Sequence, residues 1–189
     1  MRKSAAIVLL IAVIGIALPA KAQDETPKLE AYGGYDYVRF NINANVPGFP
    51  PSSSYNASGG GGQLEYNPNN WLGAVGDLDG YAVTKGSLLA GAFSYLVGPR
   101  INLLRGKITP FSQVLFGGIA ATSGIGHPGS ANAFAMAAGG GLDIKVSKLI
   151  SIRPVQAEYF MTKFPDGINN RQNNFPFSTG IVFRFGRVG

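Results

Sequence analysis

Between Ala133 and Ser147 every second residue is apolar, and this period of two constrains the fold more than any other feature of the chain. Phe134, Met136, Ala138, Gly140, Leu142, Ile144 and Val146 form one face. Ala133, Ala135, Ala137, Gly139, Gly141, Asp143 and Lys145 form the other. A repeat of two belongs to a strand, because a helix would place its apolar residues every three or four positions. The second face, small residues plus charges, suits the crowded interior of a narrow barrel, where volume is scarce and polar groups pair.

The same alternation recurs along the chain. Phe177, Thr179, Ile181, Phe183 and Phe185 alternate with Ser178, Gly180, Val182 and Arg184. Over 151–163, Val155, Ala157, Tyr159 and Met161 oppose Pro154, Gln156 and Glu158, and Pro154 predicts a bulge or a strand start. Earlier strands are expected over 28–42, 58–66, 71–79, 87–103 and 108–121. In the first, Glu30, Tyr32, Gly34 and Asp36 face away from Leu29, Ala31, Tyr35 and Tyr37. In the next two, Gln63 and Glu65 share a face, as do Asp77 and Asp79. The fold class is therefore all-β, a closed antiparallel up-and-down barrel of about eight strands, an even number as closure requires.

Connections alternate in length. Residues 43–56, 80–86, 122–132 and 164–174 read as longer loops, whereas 67–70, 105–107 and 147–149 read as tight turns. Short turns on one side of a membrane and long loops on the other are the asymmetry of outer-membrane barrels. No segment after residue 22 carries the ~18 uninterrupted apolar residues of a membrane helix.

The N-terminus adds a compartment. Arg2 and Lys3 precede the uncharged run Ala5 to Ala17, and Ala20-Lys21-Ala22 supplies a small-x-small cleavage pattern. Residues 1–22 are expected to be a cleaved signal peptide and 23–189 the barrel domain. The mature chain would hold 13 basic and 10 acidic residues, a net charge of +3, with no basic run to mark a nucleic-acid partner. The absence of cysteine excludes a lipid-anchored N-terminus, disulfides and cysteine metal sites.

The resemblance that follows is to the small outer-membrane β-barrel proteins, the OmpA-like transmembrane barrel group, over residues 28–185. Its carriers are Tyr35-Asp36-Tyr37, Asn67-Pro68-Asn69-Asn70-Trp71-Leu72, Gly98-Pro99-Arg100, Pro110-Phe111 before Phe116-Gly117-Gly118, Gly139-Gly140-Gly141-Leu142-Asp143, and Ile152-Arg153 before Glu158-Tyr159. At the C-terminus Ser178, Gly180, Phe183 and Phe185 match the last-strand pattern polar-x-Gly-x-x-aromatic-x-aromatic that the barrel-assembly machinery reads. Gly186 to Gly189 follow that final aromatic, a departure from the family pattern. The resemblance covers the barrel alone, without the group's peptidoglycan-binding domain. It implies a Gram-negative cell-envelope protein of the outer membrane, with envelope-integrity, adhesion or surface-binding roles. Its partners would be outer-membrane lipid, lipopolysaccharide and the assembly machinery.

Charges inside such a barrel should pair, since charge on the lipid face costs ~2–4 kcal/mol near the midplane. Glu30, Asp36, Asp77, Arg100, Asp143, Lys145, Glu158 and Arg184 are the expected lumen network. Arg153 falls on the face expected to meet lipid, where it would have to reach the headgroups. Trp71, Tyr32, Tyr35, Tyr37, Tyr66, Phe175 and Phe185 are expected at the membrane interfaces.

His127, the only histidine, lies near Ser130 with no acidic residue close in sequence to orient it, so no catalysis is expected. No catalytic, phosphate-binding or metal-binding motif occurs, and no cofactor is expected. The expected role is structural or surface-interacting, with contacts through loops 43–56 and 122–132. Two alternatives remain: a narrow, porin-like channel through the lumen, and a secreted lipocalin-like carrier with an apolar cavity.

Overall fold

The computed structural model describes residues 26–42, 53–85, 88–123, 129–164 and 170–188. Eight antiparallel strands close into one barrel in chain order. They are β1 (Leu29–Ile42), β2 (Ser53–Tyr66), β3 (Leu72–Lys85), β4 (Leu88–Asn102), β5 (Ile108–Ser123), β6 (Gly129–Lys145), β7 (Ile150–Thr162) and β8 (Gln172–Phe185). Closure is made by β1 on β8, in register from Leu29↔Phe185 to Arg39↔Phe175. Each of the eight described strands has a partner on both sides, which removes the usual hazard of an open sheet.

The alternation read from the sequence is the inside–outside pattern of the wall. On β6, Ala135 and Ala137 are buried and Phe134 is exposed. Leu64, Leu78, Val97, Ile101, Val114, Phe116, Val155, Phe177 and Ile181 also point outward, so the outer surface is an apolar band. Trp71, Tyr35, Tyr37, Tyr66, Phe175 and Phe185 belong to this outer surface. Tyr32 does not: it is buried in the lumen, which corrects the expectation of an interface position. Tyr32 shares its face with Glu30 and Asp36, so strand parity overrides the general preference of tyrosine for a half-wet site.

The strands are longer than expected. β2 begins at Ser53, β3 runs on to Lys85, β5 and β6 reach Ser123 and Gly129, and β8 starts at Gln172. Residues 53–56, 80–85, 122–123, 129–132 and 172–174, expected in loops, are therefore strand. The turns at 67–71, 103–107 and 146–149 lie at one end, here called the turn end, together with residues 26–28 and 186–188. At the other end, the loop end, β1 joins β2, β3 joins β4, β5 joins β6 and β7 joins β8. Gly186, with φ of 64°, turns the chain out of β8. The tail stays attached to the wall, with Val188 N donating to Thr26 O at 2.9 Å.

Pro154 sits in a bulge: the β7–β8 register shifts between Arg153 and Gln156. One extra residue switches every side chain before it to the opposite face. Arg153 is consequently fully buried in the lumen, which corrects its expected lipid-facing position.

Candidate functional site: the charged lumen

Glu30, Asp36, Glu65, Asp77, Asp79, Asp143 and Glu158, all the carboxylates among the described residues, face the lumen. The exposed basic residues lie elsewhere: Arg39, Lys163 and Arg171 near the loop end, and Lys28, Lys107, Lys148 and Arg187 at the turn end. The interior is built in layers across the strands.

At the turn-end mouth, Glu30 is the hub. Its Oε2 accepts from Arg105 Nη1 at 2.9 Å and Asn67 Nδ2 at 3.1 Å. Arg184 Nε lies 3.4 Å from its other oxygen, close enough for an ion pair but without hydrogen-bond alignment. Arg105, in the turn between β4 and β5, also donates to Asn67 Oδ1 at 2.7 Å and approaches Glu65 Oε1 at 3.5 Å. A turn residue thus reaches back to cap the lumen. Periodicity gives no sign of it, because a turn has no face. Lys145 comes from β6 at the same end.

Above the mouth lie two fully buried guanidinium groups. Arg100 on β4 donates to Glu65 Oε2 at 2.7 Å, to Gln113 Oε1 at 2.8 Å and to Gln63 Oε1. Arg153 on β7 grips Asp143 through two bonds of 2.7 and 3.0 Å. It also donates to Gln63 Oε1 at 2.7 Å and Gln156 Oε1 at 2.8 Å. The two cations share one acceptor, Gln63, and one ring: Phe111 lies 4.2 Å from Arg100 and 4.4 Å from Arg153. Tyr32 stacks on the far side of Arg153 at 4.5 Å. Each guanidinium thereby has a carboxylate partner and a π face, which offsets the cost of taking it out of water. The amides carry the bonds to the next layer, where Gln113 Nε2 donates to Glu158 Oε1 at 2.7 Å.

The next layer contains Asp36, Asp77, Asp79 and Glu158, and no ion pair to any of them is formed among the described residues. Pairing of every lumen charge, expected from sequence, is not what the structure shows. Beside this layer and toward the loop end the lumen turns apolar, with Val75, Leu96, Leu115, Ile119, Ala135, Ala137 and Phe160 in one buried cluster and Phe40 and Phe164 against it.

The structure thus draws Glu30 together with Arg184, and Asp143 with a residue outside the expected set, Arg153. Glu65, Gln63, Gln113, Arg105 and Arg153 are the members that sequence reasoning passed over. Parity alone could have found Glu65 and Gln63, which share a face on β2. At the C-terminus, Ser178 and Gly180 turn inward and Phe183 and Phe185 outward. His127 lies outside the described residues, as does the side chain of Ser130. Among the described residues no group of histidine, cysteine and carboxylate side chains is placed to hold a metal.

A closed chain-order barrel with its charges inside and its apolar side chains outside has clear counterparts among solved structures. Neisserial surface protein A matches with a TM-score of 0.68 at 12% identity, covering 84% of this chain and 97% of that one. Ail, the attachment invasion locus protein of Yersinia pestis, matches at 0.57 and 17% identity in its complex with the heparin analogue sucrose octasulfate, covering 85% and 99%. The outer-membrane protein OprG of Pseudomonas aeruginosa matches at 0.55 and 12% identity, covering 85% and 97%. The fold is that of the small outer-membrane barrels. No protein-family model matches the sequence, and no curated protein does.

Proposed function

We propose that this protein is an integral outer-membrane barrel, exported through cleavage of residues 1–22, with a structural and surface-contact role and no catalytic or transport chemistry. The observation that carries the reading is the polarity of the wall: carboxylates and guanidinium groups inside, an apolar band outside. A water-soluble carrier needs the reverse, so the lipocalin-like alternative loses its cavity to Arg100, Arg153 and their partners. The basic residues beyond each end of the band suit anionic headgroups, including lipopolysaccharide phosphates on the outer leaflet. The pattern Ser178, Gly180, Phe183 and Phe185 would serve the assembly machinery.

The lumen argues for a plug rather than a pore. Arg100 and Arg153 bridge β2, β4, β5, β6 and β7 across an interior only as wide as its side chains, and the apolar cluster fills the rest. Contacts with other molecules then fall to the loop end, through 43–56 and 122–132. Arg39, Lys163 and Arg171 give that end a positive rim, which favours anionic surface ligands, the class that the heparin analogue represents for Ail.

Membrane fractionation, with each fraction run boiled and unboiled on a gel, tests the assignment. Outer-membrane partition with a heat-dependent mobility shift is expected; a soluble periplasmic protein without the shift refutes it. Planar-bilayer recording tests the plug, and steady large conductance at neutral pH would replace it with the channel.

A further inference from the structure

We propose that the lumen holds a site for a small hydrated monovalent cation, of the sodium or potassium class, on the loop-end side of the guanidinium layer. The site is made by Asp36 on β1, Asp79 on β3 and the phenol of Tyr32, with Asp77 and Glu158 in the same layer. This inference rests on lumen geometry and not on what the loops contact.

The charge is uneven along the barrel axis. Toward the turn end, Glu65 is paired with Arg100, Asp143 with Arg153, and Glu30 with Arg105. The guanidinium groups nearest the Asp36–Glu158 layer are therefore already engaged. Within that layer the donors are neutral: Tyr81 and Ser94 each donate to Asp79 Oδ2 at 3.2 Å, and Gln113 donates to Glu158. Neutral hydrogen bonds do not cancel several like charges held together away from water.

Unsatisfied oxygens mark this layer. Asp36 Oδ2, Asp77 Oδ1 and the Tyr32 hydroxyl are buried without a hydrogen-bond partner, in residues only 2%, 3% and 7% exposed. The Tyr32 phenol runs along β1 toward Asp36, since a Cβ on the intervening Gly34 would collide with its hydroxyl. Asp36 and Asp79 meet over the bare Cα of Gly61: a Cβ there would collide with Asp79 Oδ1 and lie 2.6 Å from Asp36 Oδ2. Orphaned buried oxygens gathered in one place mark where an ion or ordered water belongs. All of these orphans are oxygens, in a layer of four carboxylates without an ion pair among the described residues, and a cation is the complement we assign to them.

The donor set also selects the class. No three of the acidic side chains stand close enough to chelate one metal ion among the described residues. Calcium takes six to eight oxygens and magnesium a near-ideal octahedron, usually with direct carboxylate ligands. Two converging carboxylates and a phenol, supplemented by water, fit instead an ion that keeps part of its hydration shell. Leu96, in register with Asp77, and Phe160, two residues beyond Glu158 on β7, make the neighbouring wall apolar.

The test uses the refolded barrel in uncharged detergent, melted by circular dichroism in sodium chloride and in N-methyl-D-glucamine chloride at equal ionic strength. The bulky organic cation screens surface charge equally but cannot enter the lumen. The wild type is expected to melt several degrees higher in sodium. Asp36→Asn with Asp79→Asn should abolish that difference, and Gly61→Ala, which leaves every charge in place, should reduce it. Glu30→Gln at the mouth should retain it. Equal melting of the wild type in both salts overturns the proposal without recourse to any variant. Persistence of the sodium effect in the Asp36→Asn/Asp79→Asn protein overturns it as well.

Discussion

Around Arg100 and Arg153 the lumen is filled by directed bonds, whereas around Leu115 and Ile119 it is filled by shape alone. The two regions fail differently. In the first, one removed group strands others, because Gln63 serves two guanidinium groups and Asp143 has Arg153 as its buried counterion. In the second, a removed methylene leaves only a hole, and the neighbours partly relax into it. The comparison shows where a narrow barrel stores specificity. Directional partners fix which strand faces which, and apolar side chains supply bulk.

The sharpest way to break this contrast is Arg153→Met, which leaves Asp143 and Gln156 without their donor. A loss of about 3–5 kcal/mol is expected from denaturant unfolding in lipid or detergent, as for other buried pairs broken on one side. Leu115→Ala in the apolar region should cost about 2–5 kcal/mol in the same assay, with the barrel still closed by its mobility shift. If Leu115→Ala instead opens the barrel and Arg153→Met does not, the division of labour is reversed.

A third substitution sharpens the inside–outside side of the comparison. Val97 is 64% exposed on the outer wall near the middle of the barrel. Val97→Arg should cost about 2–4 kcal/mol in a bilayer, since charge there meets hydrocarbon. The same change on a water-soluble surface would lie within about 0.5 kcal/mol of neutral, so the measurement separates the two environments. Smallest is Glu30→Gln at the mouth, where Asn67 can still donate to the amide oxygen. About 1–2 kcal/mol is expected from unfolding midpoints.

Much of the architecture was legible before the structure. Phe134 to Val146 announced a two-sided strand, Pro154 a bulge, and the alternation of short and long connections the up-and-down order. Strand ends were less legible. Residues 80–85 mix Tyr81, Val83 and Lys85 with Gly80, Ala82 and Thr84, residues 129–132 hold only Gly, Ser, Ala and Asn, and both segments are strand because their neighbours pair with them. Of the lumen, parity read the side on which Glu30, Asp77 and Asp143 lie but gave none of their partners.

The period of two, the all-β class and the separation of apolar from charged faces are local properties, because they depend only on neighbours along one strand. The partners are not. Arg153 meets Gln63 across 90 positions of sequence, and its inward direction depends on one inserted residue. Arg105 joins Glu30 across 75 positions from a turn with no period to read. Contacts across a closed barrel follow from register and closure, and no local pattern encodes the strand on the far side.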